Sequence, residues 1–164
     1  MTLDTPAQTP DDRLAELSLA LPTAAPLPIG AFANLRMHRG LMYISGQGPV
    51  LPDGQLMQGK VGETVTAEQA RDHARLVALN ILAVVQDQFG SLNGVKGVVK
   101  LLGLVNATPD FDRHPYVIDG ASELLHQVFG PGGVHARSSF GVASLPNQIT
   151  VEIEAILEMH DDVA

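Results

Sequence analysis

The sequence predicts an α+β fold in which two helices cover one face of a single mixed β-sheet. Three observations carry this expectation. Apolar residues at Ala70, Ala74, Val77, Ile81 and Val84 recur at the three-to-four spacing of one helical face. Ile149, Val151, Ile153, Ala155, Leu157 and Met159 alternate with Thr150, Glu152, Glu154, Ile156 and Glu158, the period of a half-buried strand. The segments between them read in the order strand, helix, strand, helix, strand, strand. At 164 residues the chain suits one domain, since domains run to roughly 100–200 residues. Residues 1–25 read as an N-terminal extension with a short helix, and residues 26–160 as the domain.

The elements follow in chain order. Met1 to Pro10 reads as a loose tail. Asp11 to Ala20 predicts a short helix, with two aspartates at the positive end of the helix dipole and Leu14, Leu17 and Leu21 as its apolar stripe. Pro22, Pro26 and Pro28 then enforce an extended run. Leu41 to Ser45 predicts a strand closed by Gly46-Gln47-Gly48-Pro49, and Val61 to Val65 little more than a bridge. Thr66-Ala-Glu-Gln69 is a capping box that opens the long helix, and Gly90 supplies its left-handed stop. Val95 to Asn106 is apolar on both sides apart from Lys100, so it predicts a strand covered on both faces. Thr108-Pro109 resembles a helix start. The firm part of the second helix runs from Pro115 to Phe129 and ends at Gly130-Pro131-Gly132-Gly133. Ser138 to Ala143 predicts a strand, Pro146-Asn147 a turn, and Ile149 to Met159 the last strand. With helices on one face, the other face of the sheet is left apolar, which implies a homo-oligomer.

Composition removes several function classes. Ten Lys and Arg against 18 Asp and Glu give a net charge of −8. Such a surface repels phosphate backbones, so no nucleic-acid partner is expected. The longest apolar runs fall short of the ~18–20 residues of a membrane span, so no membrane partner is expected. Zero cysteines exclude a thiolate nucleophile and Cys-ligated metal. Together with the absence of a basic-then-apolar leader, this suits a cytoplasmic location. The six histidines show neither HxxxH nor HExxH spacing, so no metal is expected. The Gly130–Gly133 run lacks a Lys-Ser/Thr ending and precedes a strand, unlike a phosphate cradle.

The C-terminal third holds the chemistry. Arg137 opens a strand beside small residues, Ser138, Ser139 and Gly141, and Glu152 lies on the polar side of the last strand. A hairpin through Pro146 brings these two strands side by side. Arg137 then has two readings: a carboxylate clamp, because its planar fork matches a carboxylate, or a cross-strand ion pair with Glu152.

Several stretches taken in order resemble the Rid superfamily (RidA/YjgF-type reactive intermediate deaminases, formerly labelled L-PSP endoribonucleases), in its longer Rid-like branch. They are Ile29-Gly30-Ala31-Phe32, Ser45-Gly46-Gln47, Asn80 within the long helix, Ala136-Arg137-Ser138, Leu145-Pro146 and Val151-Glu-Ile-Glu-Ala155. Gly120-Ala-Ser122 and His135-Ala-Arg137 mark the longer branch. The resemblance implies a chorismate-mutase-like fold and a homotrimer with clefts between subunits. It also implies hydrolysis of small 2-imino and enamine acids to 2-keto acids and ammonia, without metal or organic cofactor. Within it, Arg137 matches the arginine that binds the substrate carboxylate, Glu152 the glutamate that positions water, and Ser45 and Gly46 the lining of the cleft. Three further lining positions depart from the family pattern: Phe32 stands where a tyrosine is usual, Ser139 where a cysteine is, and Asp119 where an asparagine is. The alternative is a non-catalytic module that binds a small carboxylate such as a 2-keto acid, followed by an endoribonuclease.

Overall fold

A computed structural model describes residues 8–161 of the chain. Helix α1 (Pro10–Glu16) is followed by strands β1 (Leu35–His38) and β2 (Leu41–Gln47), helix α2 (Ala67–Phe89), strand β3 (Val95–Asn106), helix α3 (His114–Phe129), strand β4 (Ala136–Val142) and strand β5 (Val151–Met159). The five strands form one sheet in the order β1-β2-β5-β3-β4. All neighbours are antiparallel except β3 and β4, which run parallel because α3 crosses over between them. Three helices pack on this sheet.

Local chemistry sets the long helix. Thr66 accepts from the Gln69 amide at 3.1 Å and Gln69 Oε1 accepts from the Thr66 amide at 2.9 Å, the reciprocal capping box. Gly90 ends the helix at φ +73°. Its buried face (Ala70, Ala74, Val77, Ile81, Val84) meets Leu101, Ile153 and Leu157 of the sheet and Leu124 and Leu125 of α3 in one core cluster. The two helices approach closely at Gly120, where an added Cβ would lie 2.1 Å from the Arg71 carbonyl oxygen. Truncating a fully buried leucine such as Leu125 to alanine in such a core costs about 2–5 kcal/mol.

The structure departs from the expectations at five places. Of the tail expected over Met1–Pro10, residues 1–7 lie outside the described residues. The first helix has seven residues and stops at Glu16, four residues short. A helix that short is marginal alone, and tertiary contacts hold it: Asp11 accepts from Ser91 Oγ at 2.6 Å and from the Leu92 amide at 3.0 Å, and Leu14 is buried in the core. Strand β1 pairs with β2 across Arg39 and Gly40, both at positive φ, and carries too little apolar alternation to be read in advance. Thr108-Pro109 does not start a helix. The Thr108 amide donates to the Val61 carbonyl and its own carbonyl accepts from Phe111, a turn that postpones α3 to His114.

The last two departures govern the site. The turn at Pro146 does not join neighbouring strands: β3 lies between β4 and β5. Nor is β3 covered on both faces within one protomer. Leu101 and Val105 face the helices and are fully buried, whereas Leu102 and Leu104, with Ile156 beside them, are only half-buried on the open face.

Candidate functional site

Each β4 residue faces a known partner on β3, and the register puts Arg137 opposite Leu101, on the helix side. Its side chain turns onto one face of α3. Arg137 Nη1 donates to Asp119 Oδ1 at 2.8 Å and to Ser122 Oγ at 2.9 Å, and Nη2 donates to the Pro115 carbonyl at 3.3 Å. Positions 115, 119 and 122 are successive turns of the helix, which is why one guanidinium reaches all three. Side-chain exposure is 18% for Arg137 and 41% for Asp119, so the pair is partly screened by solvent. Ser139, two residues along β4, shares this face of the strand opposite Gly103.

Behind Arg137 the contacts continue. His135 Nδ1 lies 2.6 Å from the Gly133 carbonyl and its Nε2 lies 3.0 Å from Ser122 Oγ. A carbonyl can only accept, so Nδ1 carries the proton, Nε2 accepts from Ser122, and Ser122 accepts from Arg137. Burial, reinforced by the Arg137 charge and opposed by the Gly133 carbonyl, holds the His135 pKa below the usual imidazole value, which matches this neutral tautomer.

Glu152 stands elsewhere. It lies on β5 opposite Leu104, on the face turned away from the helices, between the buried Val151 and Ile153. The register of β2 against β5 is broken between Ile44 and Gln47, and Gly46 in this bulge seats the carboxylate. A Cβ on Gly46 would lie 2.1 Å from Glu152 Oε1. No side chain or amide among the described residues donates to that carboxylate, and burial, with Glu154 adding to it, pushes its pKa above the usual carboxylate range. Glu152 lies in a cleft of about 220 Å³ whose wall includes Phe32, Gly46, Pro146 and Ile149. Ser45 faces a neighbouring hollow and its hydroxyl donates to the Ala33 carbonyl at 2.7 Å.

The residues singled out from sequence thus fall into two groups. Phe32, Gly46 and Glu152 share one cleft, with Ser45 beside it. Arg137, Asp119 and Ser139 share the β4–α3 face. Arg137 and Glu152 are on opposite faces of the sheet, so the cross-strand pair read as one alternative does not form among the described residues, and the Glu152 cleft and the hollow beside Arg137 are separate. Ser122 and His135 were visible only as branch markers, with no role attached. Their signal was spacing: Ser122 is one helical turn after Asp119, and His135 is two residues before Arg137, just ahead of β4.

The family model described as "YjgF/chorismate_mutase-like, putative endoribonuclease" matches residues 11–156. The chain belongs to this family. Within the YjgF-type (Rid) family, its fold is the chorismate-mutase-like one. The chain is 37% identical over 149 residues to Protein TCP17 of Trypanosoma cruzi, covering 90% of this chain and 92% of that protein. It is 30% identical over 134 residues to a 2-iminobutanoate/2-iminopropanoate deaminase of Dermatophagoides farinae, covering 81% and 89%. The crystal structure of Atu1372 from Agrobacterium tumefaciens, a protein of unknown function, superposes with a TM-score of 0.83 at 39% identity, covering 92% of each chain. No helix among the described residues is long and apolar enough to cross a membrane.

Proposed function

We propose that this YjgF-type protein hydrolyses 2-imino and enamine acids to 2-keto acids and ammonia, in clefts shared between copies of the chain in a homotrimer. The observation that carries the reading is Glu152: a half-buried carboxylate without a partner among the described residues, its pKa raised by burial, at the wall of an apolar cleft. An unpartnered carboxylate made more basic by burial suits a group that takes a proton from water. The deaminase named for the Dermatophagoides relative supports the same chemistry.

The substrate is already electrophilic, so orientation does most of the work. Glu152 holds a water and takes its proton as the oxygen bonds to C2 of the protonated imine. The proton then passes from Glu152 to the nitrogen of the tetrahedral adduct; as the C–N bond breaks and ammonia leaves, Glu152 takes the hydroxyl proton and the carbonyl forms. Arg137 donates three hydrogen bonds among the described residues. A guanidinium has five N–H groups, so two remain, Nε–H among them, for a substrate carboxylate. Because Arg137 and Glu152 face opposite sides of one sheet, the two meet a common substrate only if they come from neighbouring copies. Strand β4 is an edge strand with Phe140 exposed, an open edge for such a neighbour.

The test is subunit complementation. Arg137→Ala and Glu152→Gln are each expected to lose turnover of imines generated by an amino-acid oxidase. Refolding the two together should restore activity at about a quarter of the sites by random mixing. Inactive mixtures would reject the shared site, and full activity in Arg137→Ala would reject the clamp.

A second reading, a module that binds a 2-keto acid without turnover, is favoured by the 2.8 Å pairing of Arg137 with Asp119. Binding in calorimetry with no imine hydrolysis would select it. The endoribonuclease label carried by the family is opposed by the net charge of −8.

A further inference from the structure

The substrate class of the Glu152 cleft can be read further from its walls. An imine carbon attacked by water on Glu152 carries its side chain one bond away, so that side chain must enter the space beside Glu152. The cleft measures about 220 Å³, which is roughly seven waters at ~30 Å³ each. A single methyl group would leave it mostly empty. Its walls include Leu27, Ile29, Phe32, Val50, Leu56 and Ile149, and Glu152 is its one titratable group among the described residues. Leu27, Ile29 and Phe32 are 87%, 73% and 48% exposed, so the rim holds apolar surface that nothing in the protomer covers.

Two of the polar wall side chains are already engaged. Asn34 Nδ2 donates to the Pro26 carbonyl at 2.7 Å and Gln47 Nε2 to the Ser45 carbonyl at 3.1 Å. Phe32 brings a ring without a hydroxyl. Because most of the wall is apolar, a hydroxylated side chain exchanges water for hydrocarbon contact at a loss, whereas a branched or aromatic one gains from burying both itself and the rim.

We propose that this cleft is a side-chain pocket that selects 2-imino acids with branched aliphatic or aromatic side chains over 2-iminopropanoate. The inference rests on the deaminase reading, and it concerns the pocket rather than the chemistry.

Calorimetry of the full-length protein with two product-like acids, pyruvate and 4-methyl-2-oxopentanoate, tests it independently of turnover. Each extra buried methylene strengthens binding about fourfold, and the larger acid carries three extra carbons. A ratio of tenfold or more in its favour is expected even with partial burial. Phe32→Ser and Ile29→Ser, both at exposed positions and so compatible with folding, should each cut that ratio severalfold. The same order is expected in kcat/KM for the imines made from leucine and from alanine. Equal affinities, or a ratio that neither variant lowers, would overturn the pocket while leaving imine hydrolysis standing. If neither acid binds and neither imine is turned over, the pocket and the deaminase reading fall together.

Discussion

Gly46→Ala probes the seat of Glu152 with a single methyl group. The new Cβ would lie 2.1 Å from Glu152 Oε1, 2.8 Å from Cδ and 3.0 Å from Cγ. Ordinary carbon–oxygen contacts start near 3.3 Å, so the carboxylate must retreat by about 1 Å. The obstacle is the end of a flexible side chain rather than backbone, and Gly46 has no positive φ to forbid alanine. The stability loss should accordingly stay near 1 kcal/mol, at the mild end of overpacking, or about 3 °C in Tm for a chain of this size. Catalysis should suffer far more, because displacing a reacting group by about 1 Å costs on the order of a hundredfold. The assay is oxidase-coupled imine hydrolysis, with Tm measured on the same preparations. In a Glu152→Ala background there is nothing left to displace, so Gly46→Ala should then change neither stability nor residual turnover. Wild-type turnover in the single variant, or an undiminished Tm loss in the double variant, would refute the placement of Glu152 against Gly46.

Three other outcomes are expected. Asp119→Asn removes a negative charge from the Arg137 cluster; a like charge about 7 Å from a bound carboxylate, at an effective dielectric near 50, opposes it by about 1 kcal/mol. Pyruvate should therefore bind several-fold tighter to the variant in calorimetry, with the gain shrinking at high salt. Glu152→Gln should raise Tm at pH 7. The Glu152 pKa is raised in the folded state, so its contribution is present in acid and lost as pH climbs through the folded value; the variant's advantage should vanish below the ordinary carboxylate pKa. Ser122→Ala leaves Arg137 Nη1 and His135 Nε2 each short of a partner. It should raise KM severalfold with kcat little changed, since Arg137 is less firmly held but no reacting group is removed, and Ser122→Thr should restore much of the loss.

Much of the fold was legible because it is written locally. The capping box at Thr66 and Gln69, the helical spacing from Ala70 to Val84, the stop at Gly90 and the two-residue alternation from Val151 to Met159 each depend on neighbours in the chain. The false helix start at Thr108 shows the limit of that reading: a backbone bond to Val61, 47 residues earlier, claims the amide that a helix would have capped. Strand β1 was missed for a related reason, since its pairing with β2 stabilises a segment with little pattern of its own.

For the site, residue types and order were enough to single out Arg137 and Glu152, and the family resemblance added Gly46 and Asp119. Their grouping was not legible there. Sequence neighbours joined by a short turn suggested that β4 and β5 pair, but α3 sends β4 parallel to β3, and β3 takes the place between them. One strand of separation and the opposite facing of alternate residues put the guanidinium against α3 and the carboxylate on the open face. Sequence by itself determined which groups this protein carries and which helices and strands they sit on, because those follow from local geometry. The tertiary structure alone decided which groups meet, because strand order and sheet face are set by how apolar surfaces far apart in the chain bury one another.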